Sequence, residues 1–174
     1  MTSTFDKAFE YSVSNEGGYS DDPDDSGGPT NYGVSQAFLD QHLHDPICCV
    51  VAKDLTLEMA KTIYLKYFWK LIHLEQLTDP ILAIKVFDFG VNAGPNRSIL
   101  LLQRAFNDIY PSKEIKEDGI MGMKTVGAVN DGDATKILNA FINQMIRFYK
   151  KVVTTKPVTI KYLNGWTARA RRMP

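Results

Sequence analysis

Between residues 15 and 33 the sequence reads NEGGYSDDPDDSGGPTNYG, a stretch that neither a regular helix nor a long strand can accommodate. Glycine, proline and aspartate make up more than half of it, and each of these residue types favours turns for its own steric or hydrogen-bonding reason. We therefore expect a small β-hairpin or an irregular element near residues 19–35. The elements on either side must hold this segment in place.

An amphipathic helix is predicted immediately before this stretch. Apolar residues recur at helical spacing from Thr4 to Asn15, and Ser3 or Thr4 supplies an N-cap. Gly17 ends the helix, because glycine adopts the left-handed cap conformation without steric cost, so Glu16 lies at the helix C-terminus. The negative end of the helix dipole disfavours a charged carboxylate there, and a raised pKa would suit Glu16 to act as a general acid.

Hydrolysis of a glycosidic bond usually needs a second polar group across the scissile bond. Asp25 and Thr30 follow Glu16 within a segment able to fold back over it, while Tyr19 and Tyr32 could exclude water or stack on a sugar. The aspartates have two other interpretations, as turn caps or as ligands of a cation. The run DDPDDSGG is rich in oxygen ligands, but it lacks the spacing of an EF-hand calcium loop.

The remainder of the chain is predominantly helical in its patterning. A soft boundary falls near residues 85–96, where the sequence NAGP interrupts the helical pattern, and we expect lobes at residues 1–90 and 91–174. The predicted fold is mainly α, a two-lobed helical globule. Apolar periodicity places helices at Ser35–Leu43, Thr56–Trp69, Pro80–Asn92, Arg97–Ile109, Thr125–Val129, Asp133–Val152 and Tyr162–Arg171.

Charge is unevenly distributed although the formal net charge is zero. Residues 1–87 hold six basic and thirteen acidic side chains, whereas residues 88–174 hold fourteen and seven. A basic second half suits an anionic partner, with a merely solvated surface as the alternative. Nucleic acid is not expected, because the sequence has no helix-turn-helix, zinc or RNP pattern. No apolar run is long enough to span a bilayer, and the N-terminus lacks the pattern of a signal peptide.

Neither a cofactor nor a resident metal is expected. The two cysteines, Cys48 and Cys49, are adjacent, and neighbouring cysteines rarely meet disulfide geometry with each other. We interpret them as free thiols. His42 and His44 lie close by, but without a second cysteine cluster they make a poor zinc site.

The run EGGYSDDPDDSGGPTNYGVS, from Glu16 to Ser35, resembles the signature of the glycoside hydrolase family 108 N-acetylmuramidases, which are lysozyme-like enzymes. VFDFGVNAGPNRSILLLQRAFN, from Val86 to Asn107, is similar to the second conserved block of that family. DGIMGMKTVGAVN, from Asp118 to Asn130, resembles a turn of peptidoglycan-binding modules, and YLNGWTARARR is similar to the ending of the predicted peptidoglycan-binding half. The resemblance covers nearly the whole chain.

This resemblance implies a lysozyme-like fold of the α+β superfamily and a catalytic role for Glu16 as general acid. It assigns Asp25 as base or charge stabiliser and Thr30 as a hydroxyl that positions water. Eight residues separate Glu16 from Asp25, as in related phage-type lysozymes, but four rather than five separate Asp25 from Thr30. Asp22 and Asp24 therefore stay open as the second catalytic group.

Two amides are further candidates for sugar contacts, Gln36 and Asn92, because an amide both donates and accepts hydrogen bonds. An alternative for Asn92 is a helix C-cap before Gly94. Trp69 and Trp166 are expected to pack in the core rather than to serve as sugar platforms.

The implied substrate is the peptidoglycan glycan strand, cleaved between N-acetylmuramic acid and N-acetylglucosamine by a monomeric enzyme. The alternative is a non-catalytic cell-wall-binding module that uses the same cleft. The expected place of action is the periplasm or cell wall, after synthesis in the cytoplasm and release through a holin or another export partner. A phage lysin and a secretion-associated muramidase both fit, as do retaining and inverting mechanisms.

Overall fold

The structure is a computed structural model that describes residues 2–13, 18–21 and 28–174. It divides into two compact units, Met1–Leu71 and Ile72–Pro174. The described residues form eight α-helices, several short 3-10 or π-helical segments and one two-stranded antiparallel sheet. The prediction of a mainly helical, lysozyme-like fold with a small hairpin is confirmed.

The N-terminal unit begins with helix α1, Thr4–Val13, which is capped as predicted by Ser3. The Ser3 hydroxyl accepts from the backbone N–H of Asp6 at 3.1 Å, and the Asp6 carboxylate accepts from the backbone N–H of Ser3 at 3.0 Å. This reciprocal pair satisfies backbone donors that a helix N-terminus leaves open. The apolar face of α1 buries Phe5 against Trp69 and Phe9 against Tyr64, with ring centroids 5.7 and 5.8 Å apart.

Strands β1, Thr30–Asn31, and β2, Val34–Ser35, form the sheet, with Thr30 paired to Ser35 and Asn31 to Val34. Helix α2, Gln36–Gln41, follows directly, capped by the Ser35 hydroxyl. Helix α3, Leu57–Tyr64, begins after the predicted Thr56 cap and continues as a π-helical segment, Leu65–Lys70. Two 3-10 turns, Pro46–Cys48 and Ala52–Asp54, connect α2 to α3.

The C-terminal unit is built on helix α4, Pro80–Ala93, in which every residue from Leu82 to Gly90 is buried. Asp79 caps this helix by accepting from the backbone N–H of Leu82 at 2.7 Å. The other α-helices of the unit are α5, Pro95–Ile109; α6, Met123–Asp131; α7, Ala134–Thr155; and α8, Leu163–Arg171. Short 3-10 turns cover Leu74–Gln76, Pro111–Lys113 and Pro157–Tyr162.

Aromatic rings fill the core of this unit. The Phe89 ring lies edge-on to Phe141, Phe148 and Tyr149, with centroids 5.6 to 6.0 Å apart. Trp166 of α8 is half-buried and stacks on Tyr149 and Tyr162. Among the described residues, no helix combines the length and the apolar character needed to cross a membrane.

Candidate functional site

The predicted acid Glu16 and the aspartates Asp22, Asp24 and Asp25 lie outside the described residues. Their catalytic roles therefore stay predictions. The structure does describe Tyr19, Thr30 and Tyr32, which belong to the same motif, and Gln36, which follows it directly. Their contacts show how the motif is held.

Thr30 occupies the centre of a small backbone ladder. Its backbone N–H and C=O pair with those of Ser20 at 2.8 Å each, while its other side faces Ser35 in β2. The Thr30 hydroxyl donates to the carbonyl of Gly28 at 3.1 Å. Because that bond uses the hydroxyl proton, the oxygen keeps lone pairs that can accept from a water molecule.

Tyr19 precedes Ser20 and is 45% exposed. Its hydroxyl lies 3.4 Å from Asp21 Oδ2, and partial desolvation together with the Asp21 charge raises the pKa of Tyr19. The phenol therefore stays protonated over the ordinary pH range and donates its one proton to the Asp21 carboxylate. An exposed ring suits a sugar contact.

Tyr32 and Gly33 form the turn between β1 and β2, and both have positive φ angles, of 49° and 76°. Positive φ at both central positions is the requirement of a type I′ hairpin, which favours asparagine and glycine. A left-handed conformation costs a residue with a Cβ about 1–2 kcal/mol, so the surroundings of Tyr32 must enforce it. The Tyr32 carbonyl accepts from the Tyr64 hydroxyl at 3.1 Å, which fixes the turn.

Two more side-chain bonds hold the hairpin. The buried amide of Asn31 donates to the carbonyl of Leu55 at 3.2 Å. The Gln36 carbonyl oxygen accepts from the backbone N–H of Ala52 at 2.7 Å, and its amide nitrogen donates to Asp40 at 2.8 Å. Both polar atoms of the Gln36 amide therefore make hydrogen bonds within the fold. The second N–H of the amide nitrogen can still donate to a sugar.

Tyr64 supports the motif from a distance that no local sequence pattern indicates. Its ring packs against Phe9 of α1 while its hydroxyl holds the Tyr32 carbonyl, so it connects the helix before the motif with the hairpin at its end. The sequence does place a tyrosine at a core position of the predicted helix. Because a buried hydroxyl needs a hydrogen-bond partner, such a tyrosine indicates a polar contact inside the fold.

Asn92 lies in the C-terminal unit, in the last turn of α4, and its side chain is exposed. Its amide nitrogen donates to the carbonyl of Asp88 at 2.7 Å. The helix cap itself is Gly94, with φ 94°. Asn92 thus supports the end of α4, and its predicted sugar contact stays a prediction.

The motif DGIMGMKT forms a turn that the buried Gln103 organises. The Gln103 carbonyl oxygen accepts from the backbone N–H groups of Asp118 and Gly119 at 3.0 and 2.8 Å. Its amide nitrogen lies 3.0 to 3.2 Å from Asp118 Oδ1, the Ile120 carbonyl and the Thr125 hydroxyl. These contacts favour a structural role for the motif over direct substrate contact.

Gly119 shows why this turn needs glycine. Its φ is 71°, and a Cβ at this position would lie 2.7 Å from the backbone oxygen of Asn96. That distance is shorter than side chains tolerate, and the obstacle is backbone rather than a movable side chain. The turn is therefore packed directly against the start of α5.

Metal-ligating side chains do not gather in the part of the chain that the structure describes, where no group of three or more His, Cys, Asp or Glu could hold an ion. Cys48 is buried and Cys49 exposed, and both are free thiols. Asp45 has a structural partner instead: Lys66 and Tyr67 contact its Oδ2 at 2.6 and 2.8 Å and lower its pKa to about 2.

Comparison with known proteins gives two adjacent matches. Residues 9–94 match the model of glycosyl hydrolase 108, and residues 97–171 match that of a predicted peptidoglycan domain. Among solved structures, the structure of Brucella abortus SagA is similar at 30% sequence identity and a TM-score of 0.80. That match covers 96% of this chain and 89% of the other. The comparison with curated proteins finds no match.

Proposed function

Since the chain belongs to the glycosyl hydrolase 108 family, we propose that it is an N-acetylmuramidase, which hydrolyses the β-1,4 bond between N-acetylmuramic acid and N-acetylglucosamine. The family and the predicted peptidoglycan domain support the coarser statement, a glycoside hydrolase that acts on peptidoglycan. The bond cleaved and the residues that cleave it belong to the proposal.

The observation that carries this proposal is the way the described part of the motif is fixed. Thr30 and Tyr32 belong to the hairpin, and Gln36 begins helix α2 directly after it. Three hydrogen bonds hold this segment: Asn31 to the Leu55 carbonyl, Tyr64 to the Tyr32 carbonyl, and the Ala52 backbone N–H to Gln36. A hairpin with a left-handed tyrosine and several dedicated supports is typical of a functional segment, because strain of this kind persists only where the surroundings enforce it.

In the proposed mechanism, Glu16 protonates the glycosidic oxygen as the sugar leaves, because leaving as an alcohol is far easier than leaving as an alkoxide. Asp25 stabilises the positive charge that develops on the sugar ring or activates water, with Asp22 and Asp24 as the alternatives for this role. The Thr30 hydroxyl oxygen accepts from the attacking water. Tyr19 and Tyr32 provide ring surface for the sugars.

Substitution of Glu16 by glutamine tests the catalytic assignment. Without a proton donor, turnover of purified sacculi should fall by about two or more decades. Glu10→Gln is the matched control, because it makes the same chemical change on the exposed side of α1 and should leave turnover unchanged. Mass spectrometry of the digests should show muramyl reducing ends with the native chain; intact glycan strands would contradict the bond assignment.

The second candidate function is a non-catalytic module that binds the cell wall. The match to a predicted peptidoglycan domain favours binding, but that domain covers residues 97–171 and leaves residues 9–94 to the hydrolase family. A binder would sediment with sacculi equally well with or without Glu16→Gln and would release no soluble fragments.

We place the activity at the cell wall and propose that a monomer reaches it by export or through the pore of a holin or similar partner. Peptidoglycan as substrate supports this placement. Size-exclusion chromatography with light scattering checks the monomer. Lysis that depends on co-expression of a pore-forming partner checks the route.

A further inference from the structure

A groove in the C-terminal unit lies between α5 and α7. Its volume is about 480 Å³, within the range of small-ligand sites. Leu100, Phe148 and Val152 supply apolar surface. Among the residues that the structure describes, no acidic one lines the groove. Four cationic side chains line it: Arg97, Arg104, Arg147 and Lys151.

The four cations differ in how far they are neutralised. Arg104 pairs with Glu117 at 3.0 Å and Arg147 with Asp108 at 3.3 Å. Arg97 and Lys151 make no ion pair with any residue that the structure describes. The groove therefore presents two uncompensated positive charges beside two partly compensated ones.

Arg97 also determines which ligand the groove suits. Its guanidinium lies over the Phe148 ring, 5.1 Å from the centroid, and donates to the Ala93 carbonyl at 3.2 Å. The ring face that a sugar would stack on is thus covered by a cation. What is left is aliphatic surface next to positive charge, which suits short alkyl side chains and carboxylates rather than a sugar ring.

We propose that this groove binds the stem peptide of peptidoglycan, with peptide carboxylates on Arg97 and Lys151 and peptide methyl groups on Leu100 and Val152. The inference rests on the proposed function, because it takes peptidoglycan as the substrate and adds a site for the non-sugar part. It also gives the basic half of the chain a specific task. The groove would hold the peptide while the N-terminal unit acts on the glycan.

The test is an NMR titration of the full chain with a synthetic stem tetrapeptide, L-Ala-γ-D-Glu-L-Lys-D-Ala, which a glycosidase does not degrade. Backbone resonances of α5 and α7 around the groove should shift, and the same peptide with amidated carboxyls should bind at least about tenfold more weakly. The disaccharide without peptide should leave these resonances unmoved.

Variants sharpen the assignment. Arg97→Gln combined with Lys151→Gln should raise the Kd for the tetrapeptide by about tenfold or more. Lys124→Gln combined with Lys150→Gln removes the same charge from exposed positions outside the groove, and the Kd should stay within about twofold. Equal weakening by both double variants would show that only net charge matters and would overturn the proposal.

Three further outcomes would overturn it: no resonance shifts with the tetrapeptide, shifts confined to other surfaces, or groove shifts with poly(glycerol phosphate) but not with the peptide. The last outcome would identify a phosphate polymer as the ligand. Because the titration measures binding without hydrolysis, its result is separate from that of Glu16→Gln. Loss of the muramidase assignment and loss of the groove assignment can therefore be told apart.

Discussion

In the N-terminal unit, the hairpin of the motif depends on single polar bonds from Asn31, Tyr64 and Gln36 to backbone groups. In the C-terminal unit, long helices bury a continuous run of α4 and a cluster of aromatic rings. The first arrangement fixes geometry with little apolar area, whereas the second supplies stability through area removed from water. The hairpin is thus held by individual hydrogen bonds, and the C-terminal unit by buried apolar area.

The largest expected effect is on the core of the C-terminal unit. Phe141 is fully buried and its ring meets that of Phe89. Phe141→Ala should lower the free energy of unfolding by about 3–5 kcal/mol, since it removes buried area and leaves a cavity. Urea denaturation measures the change. Ile160→Ala, at a position 65% exposed, is the control and should change stability by about 0.5 kcal/mol or less.

A second prediction concerns the charged group buried in the same core. Lys85 is fully buried and donates to the carbonyls of Arg169 and Arg172, at the C-terminus of α8. Burial lowers its pKa from 10.5 to about 8, although the charge of Asp88 acts in the opposite direction. Between those two values the unfolded chain holds a proton at Lys85 that the folded chain has released.

Stability should therefore rise with pH between 8 and 10, by up to roughly 3 kcal/mol from this group. Urea denaturation at pH 7, 8, 9 and 10 measures it, with Lys85→Met as the reference that lacks the titrating group. The range ends at pH 10 because burial raises the pKa of Tyr149 from 10.0 to about 12. Above pH 10 the unfolded chain loses the Tyr149 proton while the folded chain keeps it, so stability falls as the pH rises further. Parallel pH profiles for both proteins would contradict the prediction.

The smallest expected change in stability comes from a variant that removes a support of the hairpin. Tyr64→Phe removes the hydrogen bond to the Tyr32 carbonyl, and loss of that bond should cost about 1 kcal/mol. If the proposed function holds, kcat should fall by about tenfold, because the hairpin that carries Thr30 loses a support. Steady-state turnover of soluble glycan fragments separates kcat from KM.

Tyr67→Phe is the matched control for this change. It removes a hydroxyl of the same unit that contacts Asp45 rather than the hairpin. Its stability cost should be similar, about 1 kcal/mol, with kcat retained. An equal loss of kcat in both variants would mean that activity follows stability alone.

The sequence predicts most helices of this fold because their apolar faces repeat every three to four residues. It could not predict the π-helical segment Leu65–Lys70, whose bond from the Leu71 N–H to the Lys66 carbonyl follows from tertiary packing. Nor could it predict that Lys85 is buried, since its partners lie more than eighty residues away. From the sequence alone, a lysine within an apolar helix is expected at the surface. Its burial becomes predictable only when the position of α8 is known.

For the candidate site, the sequence supplied the motif and its residue types. The supports of the motif were not predictable, because Leu55, Ala52 and Tyr64 contribute backbone groups or a hydroxyl at distances along the chain that no local pattern encodes. Gln36 illustrates the difference. Its amide was predicted to contact sugar, and the structure shows that the amide first holds the hairpin to Ala52.

The two indoles provide independent optical reporters of the two halves. Trp69 is buried against Phe5 in one unit, and Trp166 stacks between two tyrosines in the other. With Trp166→Phe the tryptophan emission comes from Trp69 alone, and with Trp69→Phe it comes from Trp166 alone. Emission recorded through a denaturant gradient then reveals whether the halves melt as one cooperative body or in succession.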